Sequence, residues 1–232
     1  MSNIRGTSYY KIVNGNTWEA AESTAQSIGG NLVAINNAEE NSWIHNNFSI
    51  TKKRSENDPE DLDLYWAGLT DKDEEGTWVW SNGDPTSYTN WGSWGSSEPN
   101  GGINENYMVL GWHSPQWQDA GSNTPGSYTK GIAEIPLSYF SVSDVTLTEG
   151  NSGSITISRT GGSQSSQNIS LTSSNGTASS SSDYTALNTT VSFAAGETSK
   201  TVTFSSIEDN YTEAADKIIS QLNVDFEPEN RI

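Results

Sequence analysis

The sequence contains no cysteine. That excludes a disulfide framework, a thiolate metal site and a cysteine nucleophile, and leaves the redox compartment unreadable from this residue type. Basic residues are scarce: 11 Lys and Arg stand against 29 Asp and Glu in 232 residues, a formal net charge of −18. So acidic a chain repels phosphate backbones and anionic lipid, so neither nucleic-acid nor membrane-surface binding is expected, whereas multivalent cations suit it. No apolar run is long enough to span a bilayer, and no membrane insertion is expected. The opening Met1-Ser2-Asn3-Ile4-Arg5 lacks the apolar core of a secretory signal, which leaves trimming, another export route or an intracellular protein. With two His, no Ser-His-Asp order and no glycine-rich phosphate loop, catalysis has little to rest on.

Tryptophan divides what remains. All nine Trp lie before Pro136, and from Ser138 onward the chain becomes Ser/Thr-rich alternation. The break predicts one domain over 1–136 and a second over 138–232, with Pro136 disfavouring continuous structure. In the first, Thr17 predicts an N-cap for a helix carrying Ala20, Ala21, Ala25 and Ile28, stopped at Gly29-Gly30. Leu32-Val33-Ala34-Ile35 reads as a short buried strand. Asn37 caps a second helix, with Glu40 completing a capping box and Trp43-Ile44 inward. Tyr65–Leu69 and Trp78-Val79-Trp80 read as core strands. Between Gly83 and Gly126 no helical periodicity remains, and so long an irregular stretch is functional or cation-pinned. In the second domain, Ile155 and Ile157, Ile169 and Leu171, Val191 and Phe193, Val202 and Phe204, then Leu222, Val224 and Phe226 alternate at period two. Turn signals at Gly161-Gly162, Asn175-Gly176 and Ala195-Gly196 separate these segments, predicting an all-β immunoglobulin-like antiparallel sandwich.

Chemistry concentrates in the irregular stretch. Glu98-Pro99-Asn100, then Glu105, then Trp117-Gln118-Asp119 supply carboxylates and a carboxamide from three neighbouring segments. Calcium takes six to eight oxygens in flexible geometry, which suits loop-borne ligands and leaves room for a sugar's vicinal hydroxyls. Glu98 and Glu105 could imitate a glycosidase pair, which needs one carboxyl with a raised pKa and one ionised carboxylate. Calcium would instead hold both ionised, so no hydrolase is expected.

The first domain resembles a C-type lectin-like domain over nearly its whole length. The landmarks are Tyr9-Tyr10, Trp18 with Ala21, Gly29-Gly30 before Leu32-Val33, Glu40-Asn41, Trp66-Ala67-Gly68-Leu69, Trp78-Val79-Trp80-Ser81, Glu98-Pro99-Asn100 and Gly131–Ile135. The resemblance implies an α+β fold of two helices, small antiparallel sheets and a long loop region. It places Glu98, Asn100, Glu105, Gln118 and Asp119 as ligands of calcium and of a mannose-, glucose- or N-acetylglucosamine-type sugar, with Pro99 preceded by a cis bond. Gln118 stands where the family has Asn. Trp112, and equally Trp91, offers a ring face to a pyranose, although core packing is the commoner role for Trp here. An auxiliary calcium site keeps Asp71, Glu75 and Glu105, whereas Gly101 and Asn106 replace acids there; solvated turn residues are the alternative for Asp71 and Glu75. Ala25 and Ala133, and Tyr107 and Ser122, sit where the family has disulfides, so packing and cation should hold the loops instead.

The second domain resembles a Calx-beta domain through Thr148-Glu149-Gly150, Asp183-Tyr184, Phe193…Gly196-Glu197-Thr198 and the acidic run from Ile207 to Asp216. By that resemblance Glu149, Asp183, Glu208, Asp209, Glu213 and Asp216 are calcium ligands; an acidic edge that discourages strand pairing is the alternative. Together the two resemblances imply a calcium-dependent lectin or adhesin that is extracellular or at the cell surface. Its partners would be cell-surface or extracellular glycans, and its place a larger multidomain protein. A calcium-stabilised structural or protein-binding module is the competing reading.

Overall fold

In a computed structural model the chain forms two compact units, Met1–Pro136 and Leu137–Ile232. The structure describes residues 3–48, 64–93, 97–111, 114–122, 129–142, 145–147, 150–208 and 216–223.

The first unit runs β1 (Ile4–Arg5), β2 (Ser8–Asn14), α1 (Trp18–Ser27), β3 (Asn31–Leu32), α2 (Ala38–Asn47), β4 (Tyr65–Thr70), β5 (Val79–Trp80), β6 (Tyr107–Leu110), β7 (Trp117–Ala120) and β8 (Lys130–Pro136). All eight strands join one sheet, along the path β1-β2-β8-β4-β6-β7, with β3 on β8 and β5 on β4. Pairing is antiparallel except between β4 and β8.

Period two explains why β4 and β6 read as unbroken apolar runs. Tyr65, Ala67, Leu69, Met108 and Leu110 enter a core shared with Ile44 of α2. Trp66, Tyr107 and Val109 point the other way, into a core shared with Trp18, Ala21 and Ala25 of α1. Both faces of the central strands are therefore buried, and Thr70 at the end of β4 is the one hydroxyl-bearing aliphatic side chain in either run.

Both helices begin where expected. The Thr17 hydroxyl accepts from Ala20 N at 3.1 Å and the Asn37 carboxamide from Glu40 N at 2.9 Å. Glu40 departs from a capping box, because its carboxylate accepts from Asn36 N at 2.9 Å, one residue before the cap. Gly29, at φ +85°, ends α1 in the left-handed region that disfavours a side chain. Two expectations change. Val79 is 47% exposed, since β5 is an edge pair that buries only Trp80. The stretch read as irregular holds β6, β7 and a 3₁₀ turn at Gly102–Asn104. Among the described residues no helix is long and apolar enough to cross a membrane.

The second unit contains β9 (Ser138–Val142), β10 (Val145–Leu147), β11 (Ser152–Gly161), β12 (Gln167–Ser174), β13 (Asn188–Phe193), β14 (Ser199–Ser205) and β15 (Asp216–Asn223). They form two antiparallel sheets, β10-β15-β12-β13 and β14-β11-β9. The alternating apolar residues of β11, β12, β13 and β14 meet in one core between the sheets, around Ile157, Leu171 and Phe193. That is a β-sandwich. Leu222 lies on β15, whereas Val224 and Phe226 fall outside the described residues.

Candidate cation and sugar site

The site is set up by the hairpin of β6 and β7, whose ladder pairs Tyr107 with Ala120 and Met108 with Asp119. Glu105 stands two residues before the first strand, and Gln118 and Asp119 lie on the second, opposite Val109 and Met108, so one hairpin carries all three. The Trp117 indole donates to the Asn41 carboxamide oxygen at 2.8 Å, tying β7 to α2. Residues 90–92 run alongside: Trp117 N donates to Asn90 O at 2.8 Å, Gly92 N to Trp117 O at 2.9 Å and Glu98 N to Gly92 O at 2.9 Å. Trp91 packs its ring against Trp78 and Trp117, at 4.7 and 5.7 Å between centroids, and so serves the core at least in part.

The Glu98–Pro99 peptide is cis. Beyond it the chain turns onto Asp119, which is 7% exposed. Its carboxylate accepts from Asn100 N at 3.0 and 3.1 Å and from Gly101 N at 2.9 Å. Glu98 sits against the same carboxylate. Burial, then its contact with Asp119, then the charge of Glu105 push the Glu98 carboxyl up to about 7. Burial and the charge of Asp119 also raise that of Glu105. Three carboxylates crowd one place without a basic side chain among the causes, an arrangement that favours a proton or a cation. Glu105 reaches in because Gly101 lacks a side chain: a Cβ there would stand 2.2 Å from the Glu105 side chain. Gln118 is half-buried on β7. Trp112 lies outside the described residues.

The auxiliary residues fare differently from one another. Asp71 is 4% exposed, so it is no solvated turn residue. One oxygen accepts from Gly76 N at 2.9 Å, while Oδ1 is buried without a hydrogen-bond partner, as is Oδ1 of Asn106. The backbones of these two residues are joined, Asp71 N donating to Asn106 O at 3.2 Å. A buried acceptor left unmatched is costly, and a cation is one way to match two of them. Glu75 is exposed, with its carboxylate near Gly102. Sequence reasoning set Asn106 aside because it is not an acid; its value lies in a neutral carbonyl oxygen beside Asp71. Among the described residues no group of three or more His, Asp or Glu side chains is placed so that it could hold a metal ion as it stands, and Asp119 is turned onto backbone N–H groups.

At the positions expected to lack disulfides, Ala25 and Ala133 are both fully buried in the α1-side core. Tyr107 and Ser122 are linked through Glu19, whose carboxylate accepts from both hydroxyls.

In the second unit, Asp183 and Glu208 are brought together by Ile207 N donating to Asp183 O at 2.8 Å, and Glu208 lies beside Gly150. The Asp183 carboxylate accepts from Ser179 N at 2.6 Å, and that hydrogen bond holds its carboxyl below the usual carboxylate range. Asp216 begins β15, and only its backbone is described. Glu149, Asp209 and Glu213 lie outside the described residues.

A two-helix α+β unit whose loops gather carboxylates beside a cis Glu-Pro-Asn segment, followed by a β-sandwich, defines a lectin-type binding unit joined to a sandwich module. Residues 14–128 match the lectin C-type domain model and residues 133–231 the Calx-beta domain model. A perlucin-like protein of Mytilus galloprovincialis is 30% identical over 118 residues, covering 50% of this chain and 69% of that protein. The chain therefore belongs to the C-type lectin family, with a Calx-beta domain following. It spans half or less of the length of other curated relatives that it matches. Among solved structures, the C-type carbohydrate-recognition domain of cow CD23, crystallised with a GlcNAc2Man3 oligosaccharide, aligns at 25% identity with a TM-score of 0.45, covering 57% of this chain and 90% of that one. A calcium-independent type II antifreeze protein aligns to a similar extent, at 20% identity and a TM-score of 0.44, covering 57% and 89%.

Proposed function

We propose that the first unit is a calcium-dependent carbohydrate-binding module for sugars with adjacent equatorial hydroxyls, of the mannose, glucose or N-acetylglucosamine type. The observation that carries this reading is the convergence of Glu98, Glu105 and Asp119 beside Asn100, with burial and then Asp119 raising the Glu98 carboxyl to about 7. Glu98, Asn100, Glu105, Gln118 and Asp119 would hold the ion, which supplies open coordination to the sugar. The carboxylates accept from its hydroxyls while the Asn100 amide donates, so the order of donors and acceptors selects the diol. Asp71 and Asn106, with Glu75 near by, would hold a second cation that stiffens the same loops. The sandwich acts as spacer, with Asp183, Glu208 and the acids around them as a further calcium end.

One shallow site binds a monosaccharide weakly, so the setting proposed is a multidomain extracellular adhesin or lectin acting on glycans in several copies. No hydrolysis is proposed; release of reducing sugar lost on Glu98→Gln would overturn that. The test is binding to a glycan array in millimolar calcium, lost in EDTA and restored by calcium. The unpartnered oxygens of Asp71 and Asn106 favour a second reading, in which cations only stabilise the loops. Absence of any glycan signal, with a melting temperature still lowered by EDTA, would establish it.

A further inference from the structure

From the side-chain network at the open end of the β6–β7 hairpin we infer that Glu19 is a positioning residue for the cation site, acting as a two-armed clamp on the strands that carry Glu105 and Asp119. This deepens the reading above and rests on it. The pair Tyr107–Ala120 is the last rung of the ladder. Past that rung the ladder ends, with Asn106 and Glu105 leaving on one side, where Asn106 O accepts from the Thr70 hydroxyl at 2.8 Å and from Asp71 N at 3.2 Å, and Gly121 and Ser122 leaving on the other. Glu19 reaches across from α1. Its Oε1 accepts from the Tyr107 hydroxyl at 2.5 Å, and its Oε2 accepts from the Ser122 hydroxyl. Each oxygen of one carboxylate thus holds one side of the opening, as hydrogen bonds to an ionised acceptor do most strongly.

The anchor is firm. The Trp18 indole beside Glu19 donates to Ala67 O of β4 at 2.7 Å, and its ring stacks 5.0 Å from that of Tyr107. Burial works against the charge of Glu19, but the hydroxyls of Ser122 and Tyr107 outweigh it and keep the carboxyl below its usual range. The acidic side chain also sits in the first turn of α1, where the helix dipole favours it. Glu105 is two residues from one clamped hydroxyl and Asp119 three from the other, so opening the clamp loosens the spacing of two ligand carboxylates without touching either. The partners lie 88 and 103 residues away from Glu19, so no local pattern announces the contact.

The experiment measures calcium affinity by calorimetry, well below the melting temperature, for the full chain and for Glu19→Gln, Tyr107→Phe, Ser122→Ala and Ser122→Thr. Tyr107→Phe keeps the packed ring, and Ser122→Thr keeps the hydroxyl. The first three should each weaken calcium binding roughly three- to ten-fold, short of what losing a direct partner of a metal ligand costs. Ser122→Thr should match the parent, as should Glu39→Gln, which removes an exposed charge from the first turn of the other helix, α2. Glu19→Gln with Ser122→Ala should cost little more than either alone, because both cut one clamp. Lower melting temperatures with unchanged calcium affinity would overturn the inference and leave Glu19 a stabilising residue only. If the parent chain binds no calcium, the proposed function fails instead. Amide exchange then decides the clamp, which requires faster exchange at residues 105–106 and 121–122 in Glu19→Gln.

Discussion

Gly101 shows how one hydrogen in place of a methyl group shapes a site. Its φ of −83° is open to any residue, so alanine there meets no backbone strain. The obstacle is Glu105, whose Cβ and Cγ lie 2.2 Å from where the new methyl would stand. Gly101→Ala must push Glu105 out of the carboxylate cluster. We expect calcium affinity to fall at least about ten-fold by calorimetry, the scale of a misplaced ligand shell. The melting temperature in EDTA should hardly move, because the loop contributes little buried apolar area. The outcome at Gln118 has the opposite sign. Its side chain is one methylene longer than asparagine, so Gln118→Asn should preserve or tighten calcium binding. A clear loss in the same titration would mean that β7 presents this side chain differently from the family's pattern.

At the scale of elements, α2 and β8 share one hydroxyl, that of Tyr10 on β2. The Tyr10 OH lies 2.9 Å from a Glu40 oxygen and 3.1 Å from a Glu134 oxygen, and Arg5 stands 3.5 Å from Glu40. A phenol has a single proton to give, so one carboxylate is always the poorer served. Burial, opposed by hydrogen bonds from Ser8 and Tyr10 and aided by the charge of Glu40, raises the Glu134 carboxyl above its usual range. A group that binds its proton more tightly when folded makes folding more favourable as the pH falls through its folded value toward about 4.3, the value of an unfolded glutamate. Glu134→Gln should therefore melt higher than the parent at pH 8 in EDTA, and the difference should shrink as the pH is lowered to 5. A difference independent of pH would place the effect in packing rather than ionisation.

This scale also shows what a sequence can declare about itself. The caps at Thr17 and Asn37 act over three residues, so they are legible directly, as is the period-two alternation of β11 to β14. Glu98-Pro99-Asn100 and Asp119 are legible as a set of carboxylates and a carboxamide, because residue type alone names that chemistry, and the expectation that they hold an ion starts there. The strands β6 and β7 are not: β6 is buried on both faces and carries no alternation, and the Trp-Gln-Asp-Ala of β7 sets polar residues between apolar ones without a period of two. Nor are the unpartnered oxygen of Asn106 or the reach of Glu19 to Tyr107 and Ser122. Each arises from chain segments that meet only after the sheet has formed, and an asparagine beside a tyrosine looks like any loop until its neighbours are known.

At the scale of the whole molecule, the uneven placement of tryptophan offers a way to follow each half of the chain on its own. All nine Trp precede Pro136, and Trp66, Trp80 and Trp117 are buried in the two cores that flank the central sheet. Tryptophan emission during heating therefore reports the melting of the first unit alone, whereas calorimetry records both. A ligand that binds only the folded form stabilises it by about 2.7 kcal/mol at a hundredfold excess over its dissociation constant, which for a unit of this size amounts to roughly 10 °C. Saturating calcium should raise the tryptophan-detected midpoint by about that much over EDTA. The transition of the sandwich moves as well only if Asp183, Glu208 and their neighbours take up the ion. A shift confined to tryptophan emission would make the sandwich a spacer, and a shift in both transitions would make it a second calcium module. If neither midpoint responds, the carboxylates around Asp119 do not gather a cation and the lectin reading loses its foundation.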